Sequence, residues 1–340
     1  MKRSLAFLGV AVLLVAGCGG GGNKSSSSTS SEGGSKLRIG LVTDIGGLND
    51  RGFNHLSYVG LQRAQSELGI QQRVFQAHST QEYVPNLSTF ARQGYDLTIG
   101  VGFTEATAID TAATTFPNSK FAIVDVDQTE EPHKPKNLLG LLFREQETGY
   151  LVGYLAGLEE KRRPGPDVIG SVGGQKQPPV DRFIAGYQAG AKAADPGIKL
   201  LNAYSEDFSD QAKCKQVALN QIEQGAGVIF QVAGGCGLGA LDAAKERDVW
   251  GIGVDADQSF LGPHILTSAV KRVDTAVFLA IKSVVDGTFK GGNMTFGLKQ
   301  KGVGIGKISP KVPQAEVAKV NQIRADIISG RIKNIPTQVP

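Results

Sequence analysis

The chain has 340 residues, of which 36 are Lys or Arg and 32 are Asp or Glu, so its formal net charge is +4. This balance is too mild for a protein that binds nucleic acid through its charge. No basic run with interleaved aromatic residues occurs either, so the composition argues against nucleic acid as a partner.

The N-terminal segment has the layout of a secretory signal. Two basic residues precede an apolar run from Leu5 to Ala16, which is shorter than the roughly 20 residues that a membrane-spanning helix requires. The run ends in the tetrad VAGC, whose last residue is Cys18. This tetrad is similar to a lipobox, which implies removal of residues 1–17 and lipidation of Cys18. The alternative is an ordinary cleaved signal with a chance cysteine.

A polar segment separates this signal from the rest of the chain. Residues 19–35 are mainly Gly, Ser, Thr and Asn, a composition that cannot bury enough apolar surface to fold. We therefore predict a flexible, lipidated tether over 18–35, with the protein held on the extracytoplasmic side of the cell membrane. The remaining residues, about 300, exceed what one hydrophobic core usually serves, so two lobes are expected.

Short runs of Val, Ile and Leu alternate with segments of helical period, a pattern typical of parallel sheets flanked by helices. A first series of strands is predicted over residues 37–43, 73–78, 97–102, 121–126 and 137–143. A second series is predicted over residues 168–174, 199–205, 227–233 and 249–255. Helices are predicted over residues 179–194, 210–224, 237–247, 273–286 and 314–329, with a looser strand at 265–271 and a Gly-rich stretch at 291–306.

Two successive series of similar length predict two similar α/β lobes with a ligand cleft between them. Late elements often return to the first lobe in such proteins, so we expect discontinuous lobes joined by a hinge of several crossings. The predicted N-terminal lobe comprises 36–143 and 258–290. The predicted C-terminal lobe comprises 144–257 and 291–340.

Polar or small residues stand near the ends of several predicted strands, where ligands bind in open parallel sheets. A carboxylate accepts hydrogen bonds from adjacent hydroxyls, so this set suits a polyhydroxylated ligand. Taken alone, each carboxylate could instead be a helix cap or a turn residue. The candidates are Asp44, Asn54, Asp125, Gly234, Asp255 and Lys271.

Two aromatic residues are ambiguous. Phe53 lies in a polar loop, and Phe183 lies at the start of the first helix of the second lobe. Each could pack a helix, or the two could sandwich a planar base between their faces.

Catalytic patterns are weak. The four histidines have no metal-ligand spacing, and neither a GxSxG elbow nor a Walker loop occurs. The loop that begins TDIGG faintly resembles the acidic opening of nucleoside hydrolases, but Asp44 is followed only by Asp50, too few ligands for calcium. We therefore predict no enzyme activity, no metal and no cofactor.

Several separated segments together resemble the basic membrane protein (BMP) family of lipoproteins. The resemblance spans nearly the whole folded part in order. Its segments are VTDIGGLNDRGFN, FAIVD, PPVDRFIAGYQAGAKA, VAGGCGLGALDAAKE, GIGVDADQ and TSAVK. It implies a type I periplasmic-binding-protein-like fold and a monomeric receptor that delivers purine nucleosides to the permease and ATPase of an ABC importer. A receptor that presents the ligand to a sensor is a further alternative.

The resemblance also implies roles for the candidate residues. Asp44 and Asn54 would meet the base edge, between the rings of Phe53 and Phe183. The sugar would be surrounded by Asp125, Gly234, Asp255 and Lys271. This chain departs from the family pattern at Gly52, where a small hydroxyl residue is usual, which leaves the loop geometry open.

Cys214 and Cys236 are also outside the general family pattern. In an exported protein two cysteines favour a disulfide over two free thiols. Cys214 lies at the start of a predicted helix and Cys236 follows the next predicted strand, so in a right-handed βαβ unit both return to the same edge of the sheet. We therefore predict a disulfide at the rim of the second lobe.

Overall fold

The structure is a computed structural model that describes residues 36–340. The predicted signal peptide (1–17), the tether (18–35) and the lipidation site Cys18 lie outside these residues. The described chain forms two six-stranded sheets flanked by helices, which confirms the predicted fold class. In this part of the chain no helix is both long and apolar enough to cross a membrane.

Strands and helices alternate along the chain. Its first half contains β1 (Arg38–Thr43), α1 (Phe53–Leu68), β2 (Gln71–Gln76), α2 (Tyr83–Arg92), β3 (Leu97–Val101), α3 (Ala106–Thr115), β4 (Phe121–Val124), β5 (Leu138–Phe143), α4 (Glu145–Glu160) and β6 (Val168–Gly173). Its second half contains α5 (Pro178–Ala194), β7 (Lys199–Tyr204), α6 (Gln211–Glu223), β8 (Val228–Val232), α7 (Gly237–Glu246), β9 (Trp250–Asp255), β10 (Ile265–Lys271), α8 (Val273–Val285), β11 (Gly292–Phe296), β12 (Val303–Ile305) and α9 (Gln314–Ser329).

Each lobe is built on one sheet. The first has the order β11-β5-β4-β3-β1-β2 and the second β12-β10-β9-β8-β6-β7. All neighbouring strands are parallel except the β10–β12 pair. Inner strands such as β3, β4 and β8 are buried along their whole length, because helices cover both faces of the sheets.

The predicted lobe boundaries are wrong for two strands. β10 lies within 258–290, which we assigned to the first lobe, but it pairs with β9 of the second sheet. β11 lies within 291–340, which we assigned to the second lobe, but it pairs with β5 of the first sheet. An apolar run predicts a strand without indicating which of two similar sheet edges it will join, so backbone pairing decided both positions.

Three crossings therefore connect the lobes. They lie at Arg144 between β5 and α4, at Arg272 between β10 and α8, and at residues 297–302 between β11 and β12. Backbone hydrogen bonds tie them together: Arg144 donates to the Phe296 carbonyl (2.9 Å) and Arg272 donates to the Gly302 carbonyl (2.8 Å). This bundle of crossings occupies the position predicted for the hinge.

Close packing of α4 on α5 fixes the second lobe next to the hinge. Gly149 and Gly153 of α4 face the backbone of Phe183 and Tyr187 on α5, and a methyl group at either glycine would collide with a carbonyl oxygen. The helices can approach this closely because no side chain lies between them. Their contact brings the start of α4 beside the start of α5, where Phe183 lies.

Cys214 and Cys236 are joined by a disulfide, with their Cα atoms 5.5 Å apart. Cys214 belongs to α6 and Cys236 directly precedes α7. Both side chains are fully buried in a small apolar cluster that includes parts of the two helices. The Cys236 N–H also donates to the Phe208 carbonyl (2.9 Å), so the bridge anchors the loop that carries Phe208.

Replacing both cysteines with alanine is expected to lower the free energy of unfolding by about 3 kcal/mol, because the cross-link restricts the unfolded chain. Urea denaturation of the oxidised protein and of the double variant measures this difference. A reductant should shift the midpoint of the wild type towards that of the variant and leave the variant unchanged. Two thiols that alkylate in the native, unreduced protein would contradict the bridge.

Candidate functional site

A cleft lies between the lobes at the carboxyl ends of the two sheets, the position where open parallel sheets bind ligands. It encloses about 630 Å³ that no protein atom occupies, counting its open mouth. All eight residues predicted to contact a ligand line this cleft: Asp44, Phe53, Asn54, Asp125, Phe183, Gly234, Asp255 and Lys271.

One end of the cleft is formed by the loop between β1 and α1. Asp44 Oδ1 accepts hydrogen bonds from Asn54 Nδ2 (2.6 Å) and from the Gly46 N–H (2.9 Å). Asn54 Oδ1 is buried and has no hydrogen-bond partner among the described residues. The Asp44–Asn54 pair therefore keeps an amide oxygen available to a donor that enters the cleft.

Asp50 lines the same wall but has a different role. Its carboxylate accepts hydrogen bonds from the backbone N–H groups of Gly52 (3.0 Å), Asn54 (2.7 Å) and His55 (3.1 Å). These bonds satisfy donors at the start of α1 that have no partner within the helix. Asp50 therefore mainly shapes the loop. This is the helix-cap role that we considered for carboxylates that follow a strand.

Burial changes the protonation of Asp44. It raises the pKa of this carboxyl to about 6, although the hydrogen bonds from Asn54 and Gly46 act in the opposite direction. Below the Asp44 loop, burial also raises the pKa of Glu105 well above its ordinary value. This end of the cleft therefore favours neutral or partly neutral acids in the absence of a ligand.

The other end of the cleft is organised around Lys271, the last residue of β10. Its side chain is only 2% exposed, and Nζ lies 2.6 Å from Asp125 Oδ2 and 3.0 Å from Glu145 Oε1. Asp125 follows β4 of the first lobe, so the first of these ion pairs joins the two lobes. Nζ also lies 4.9–5.7 Å from the ring centroids of Phe53, Phe143 and Phe183, which favours a cation there.

Charges at this end are strongly coupled. Burial opposes ionisation of Lys271, but the nearby carboxylates of Asp125, Glu145 and Asp255 outweigh it and raise the pKa of Lys271 above its ordinary value. Burial raises the pKa of Asp255 to about 7 and that of Glu145 to about 7, against the effect of Lys271. Lys271 therefore remains charged, while Asp255 and Glu145 are easily protonated.

Asp125 and Asp255 occupy equivalent positions at the ends of β4 and β9. Both have left-handed backbone conformations, with φ of 70° and 63°, which are uncommon outside glycine and are often found at functional sites. Asp125 Oδ1 is buried with no hydrogen-bond partner in the described chain. The two carboxylates approach the cleft from opposite lobes and have acceptor capacity left over.

The two predicted aromatic residues lie at the cleft wall and also pack against the protein interior. Phe53 and Phe183 line the cleft, yet Phe183 is also only 2% exposed and belongs to the main hydrophobic core. There it packs edge-on against Phe230, with ring centroids 6.2 Å apart. The core holds the ring rigidly at the cleft wall, so packing and ligand contact are compatible.

Gly234 and Gly235 bring backbone to the cleft, and Gly234 has a positive φ of 54°. Both lie against Phe208, a cleft residue that the sequence interpretation missed. Phe208 is a large ring in a polar loop after β7, the same signal that identified Phe53. Glu145 was missed as well, because it is the first residue of a helix and gives no local sign that it will meet Lys271.

Metal-dependent hydrolysis requires several free carboxylates close together. In the range 36–340 no group of three or more His, Cys, Asp or Glu residues is arranged to hold a metal ion. Asp44 and Asp50, the pair that suggested a hydrolase, already accept hydrogen bonds from Asn54 and from the surrounding backbone.

The chain matches proteins of known class over almost its whole folded length. Residues 37–338 match the family described as ABC transporter substrate-binding protein, PnrA-like. A lipoprotein of Pyrococcus horikoshii is 37% identical over 94% of this chain and 80% of its own length. The ABC transporter nucleoside-binding protein BmpA of Lactococcus lactis is 35% identical over 97% of this chain and 98% of its own.

A solved structure agrees with this assignment. An ABC transporter solute-binding protein from Aeropyrum pernix superposes with a TM-score of 0.80 at 28% identity, over 88% of this chain and 94% of its own. The resemblance drawn from the separated sequence segments is thereby confirmed. The chain belongs to the Bmp or PnrA-like family of ABC transporter substrate-binding proteins.

Proposed function

We propose that this chain is a lipid-anchored receptor that binds a purine nucleoside in the cleft and delivers it, chemically unchanged, to the permease and ATPase of an ABC importer. The observation that carries the proposal is the buried acceptor Asp125 Oδ1, which has no donor in the described chain. An unsatisfied buried acceptor is costly, so a ligand that supplies a donor gains affinity there.

The Lys271 end of the cleft suits the sugar. Asp125 and Asp255 lie on opposite lobes, and each can accept a hydrogen bond from a sugar hydroxyl. Lys271 can donate to the same group of hydroxyls. A ligand that satisfies both carboxylates links the lobes and favours the closed form, which a transport partner can recognise.

The Asp44 end suits the base. The rings of Phe53 and Phe183 line the cleft and can pack against the faces of a planar heterocycle. The Asp44 carboxyl and the free Asn54 amide oxygen can bond to polar groups on its edge. A purine nucleoside carries both the planar base and the hydroxylated sugar, whereas a free pentose would leave the Asp44 end unfilled.

Further parts of the proposal come from the sequence and from relatives. The predicted lipobox and lipoprotein relatives such as that of Pyrococcus horikoshii support an anchor at Cys18 and a position on the extracytoplasmic side of the membrane. The name of the Lactococcus lactis relative, a nucleoside-binding protein, supports the ligand class. We propose that the receptor acts as a monomer, since both halves of the cleft come from one chain.

Purine nucleosides are expected to raise the melting temperature of the purified protein, while ribose alone and short peptides leave it unchanged, because only a ligand that binds the native state stabilises it. Asp255→Asn should weaken nucleoside binding about 10-fold or more, since it removes a charged acceptor. A thermal-shift screen followed by calorimetric titration measures both effects.

Asp248→Asn is the matched control for this variant. Asp248 also has a left-handed backbone, with φ of 51°, but it precedes β9 and lies at the opposite end of that strand from the cleft. The Asp248→Asn variant should bind nucleosides with the same affinity as the wild type. Stabilisation by pentoses or peptides alone would rule out the nucleoside assignment.

Nucleoside affinity is expected to fall about 100-fold between about pH 8 and about pH 5.5. Burial raises the pKa of Asp255 to about 7 and that of Asp44 to about 6, so both acids take up protons over this interval. Ligand donors favour the ionised carboxylates, so binding at low pH must release those protons. Titration calorimetry in buffers of different ionisation enthalpy measures the release, and an affinity that stays constant over this interval would contradict this account.

A further inference from the structure

Glu145 and Lys271 adjoin two of the three crossings of the hinge. Glu145 is the first residue of α4 and directly follows the crossing at Arg144. Lys271 is the last residue of β10 and directly precedes the crossing at Arg272. Their side chains meet, with Oε1 of Glu145 3.0 Å from Nζ of Lys271. The cleft and the hinge are therefore joined at this ion pair.

The surroundings of Glu145 leave it little other role. Its side chain is fully buried, and neither carboxylate oxygen has a hydrogen-bond partner in the described part of the chain, so its contact with Lys271 is an ion pair without hydrogen-bond geometry. The nearest other cation is Arg182, whose guanidinium lies 3.9 Å from Oε2. A buried carboxylate is costly to keep unless a cation compensates it, and Lys271 is the closest compensating group.

The donors of Lys271 can be counted. An ammonium group has three N–H donors, and one of them is hydrogen-bonded to Asp125 Oδ2. Glu145 Oε1 lies 3.0 Å from Nζ as an ion-pair partner. The hydrogen bond to Asp125 and the attraction of the Glu145 carboxylate together set the rotation of the ammonium group, and so the directions of its remaining donors. Lys271 lines the cleft, and Asp255, which also faces the cleft, has free acceptor capacity beside it.

We propose that Glu145 is a positioning residue for ligand binding: it orients the Lys271 ammonium so that one of its remaining N–H groups meets one hydroxyl of the ligand sugar. Glu145 itself does not touch the ligand. Because it also adjoins the crossing at Arg144, it ties this contact to the hinge. The inference rests on the proposed nucleoside function and adds to it a residue outside the cleft wall.

The test compares adenosine with 2′-deoxyadenosine and 3′-deoxyadenosine in calorimetric titrations of the wild type and of Glu145→Gln. The variant keeps the shape of the side chain but loses its charge. Adenosine is expected to bind the variant about tenfold more weakly. For the deoxy analogue that lacks the hydroxyl contacted by Lys271, the wild type and the variant should bind alike.

Glu160→Gln is the matched control, because Glu160 is a buried glutamate on the same helix that pairs with Arg163 at the far end from the cleft. It should leave the affinities for all three ligands unchanged, even if it lowers the melting temperature. Glu145→Asp retains the charge but shortens the side chain. It should weaken the binding of adenosine but not that of the deoxy analogue that lacks the hydroxyl contacted by Lys271. If Glu145→Gln does not fold, the Glu145→Asp variant alone tests whether Glu145 positions Lys271.

Two results would overturn the inference. One is wild-type affinity in both Glu145 variants. The other is an equal loss for all three ligands, which indicates a general structural role. Failure of the wild type to bind any of the three ligands would instead refute the proposed nucleoside function, and the inference with it.

Discussion

The buried ammonium of Lys271 is the constraint on which the arrangement of the cleft depends. It belongs to the second sheet, yet its shortest contact is with Asp125 of the first lobe. Since Asp125, Glu145 and Asp255 lie around it, removing this cation would leave several buried acids uncompensated. The contact between the lobes at this point and the charge of Lys271 therefore depend on the same ion pair.

The acids of the cleft outnumber the cation that faces them, and this imbalance explains the kind of ligand that the site can accept. Raised pKa values at Asp44 and Asp255 show that burial acts against full ionisation. Hydrogen-bond donors without a negative charge relieve this imbalance, whereas a phosphate would add to it. The electrostatics therefore favour an uncharged ligand over an anionic one.

Much of the site could be predicted because it obeys a local rule, namely that ligand-facing residues follow the ends of parallel strands. Asp44, Asp125 and Asp255 were identifiable on this ground. Glu145 was not, because its partner is 126 positions later (271 − 145 = 126) and the contact arises only from the packing of α4 against the second sheet. The sheets that β10 and β11 join could not be predicted for the same reason, since backbone pairing between distant segments leaves no local signal.

A crystal structure of the soluble domain with a purine nucleoside tests the central claim most directly. We expect sugar hydroxyls within hydrogen-bond distance of Asp125, Asp255 and Lys271, and the base between Phe53 and Phe183. We also expect the ion pairs from Lys271 to Asp125 and Glu145 to persist in the complex. A nucleoside bound outside the cleft, or in the reverse orientation with its base at Lys271, would contradict this account.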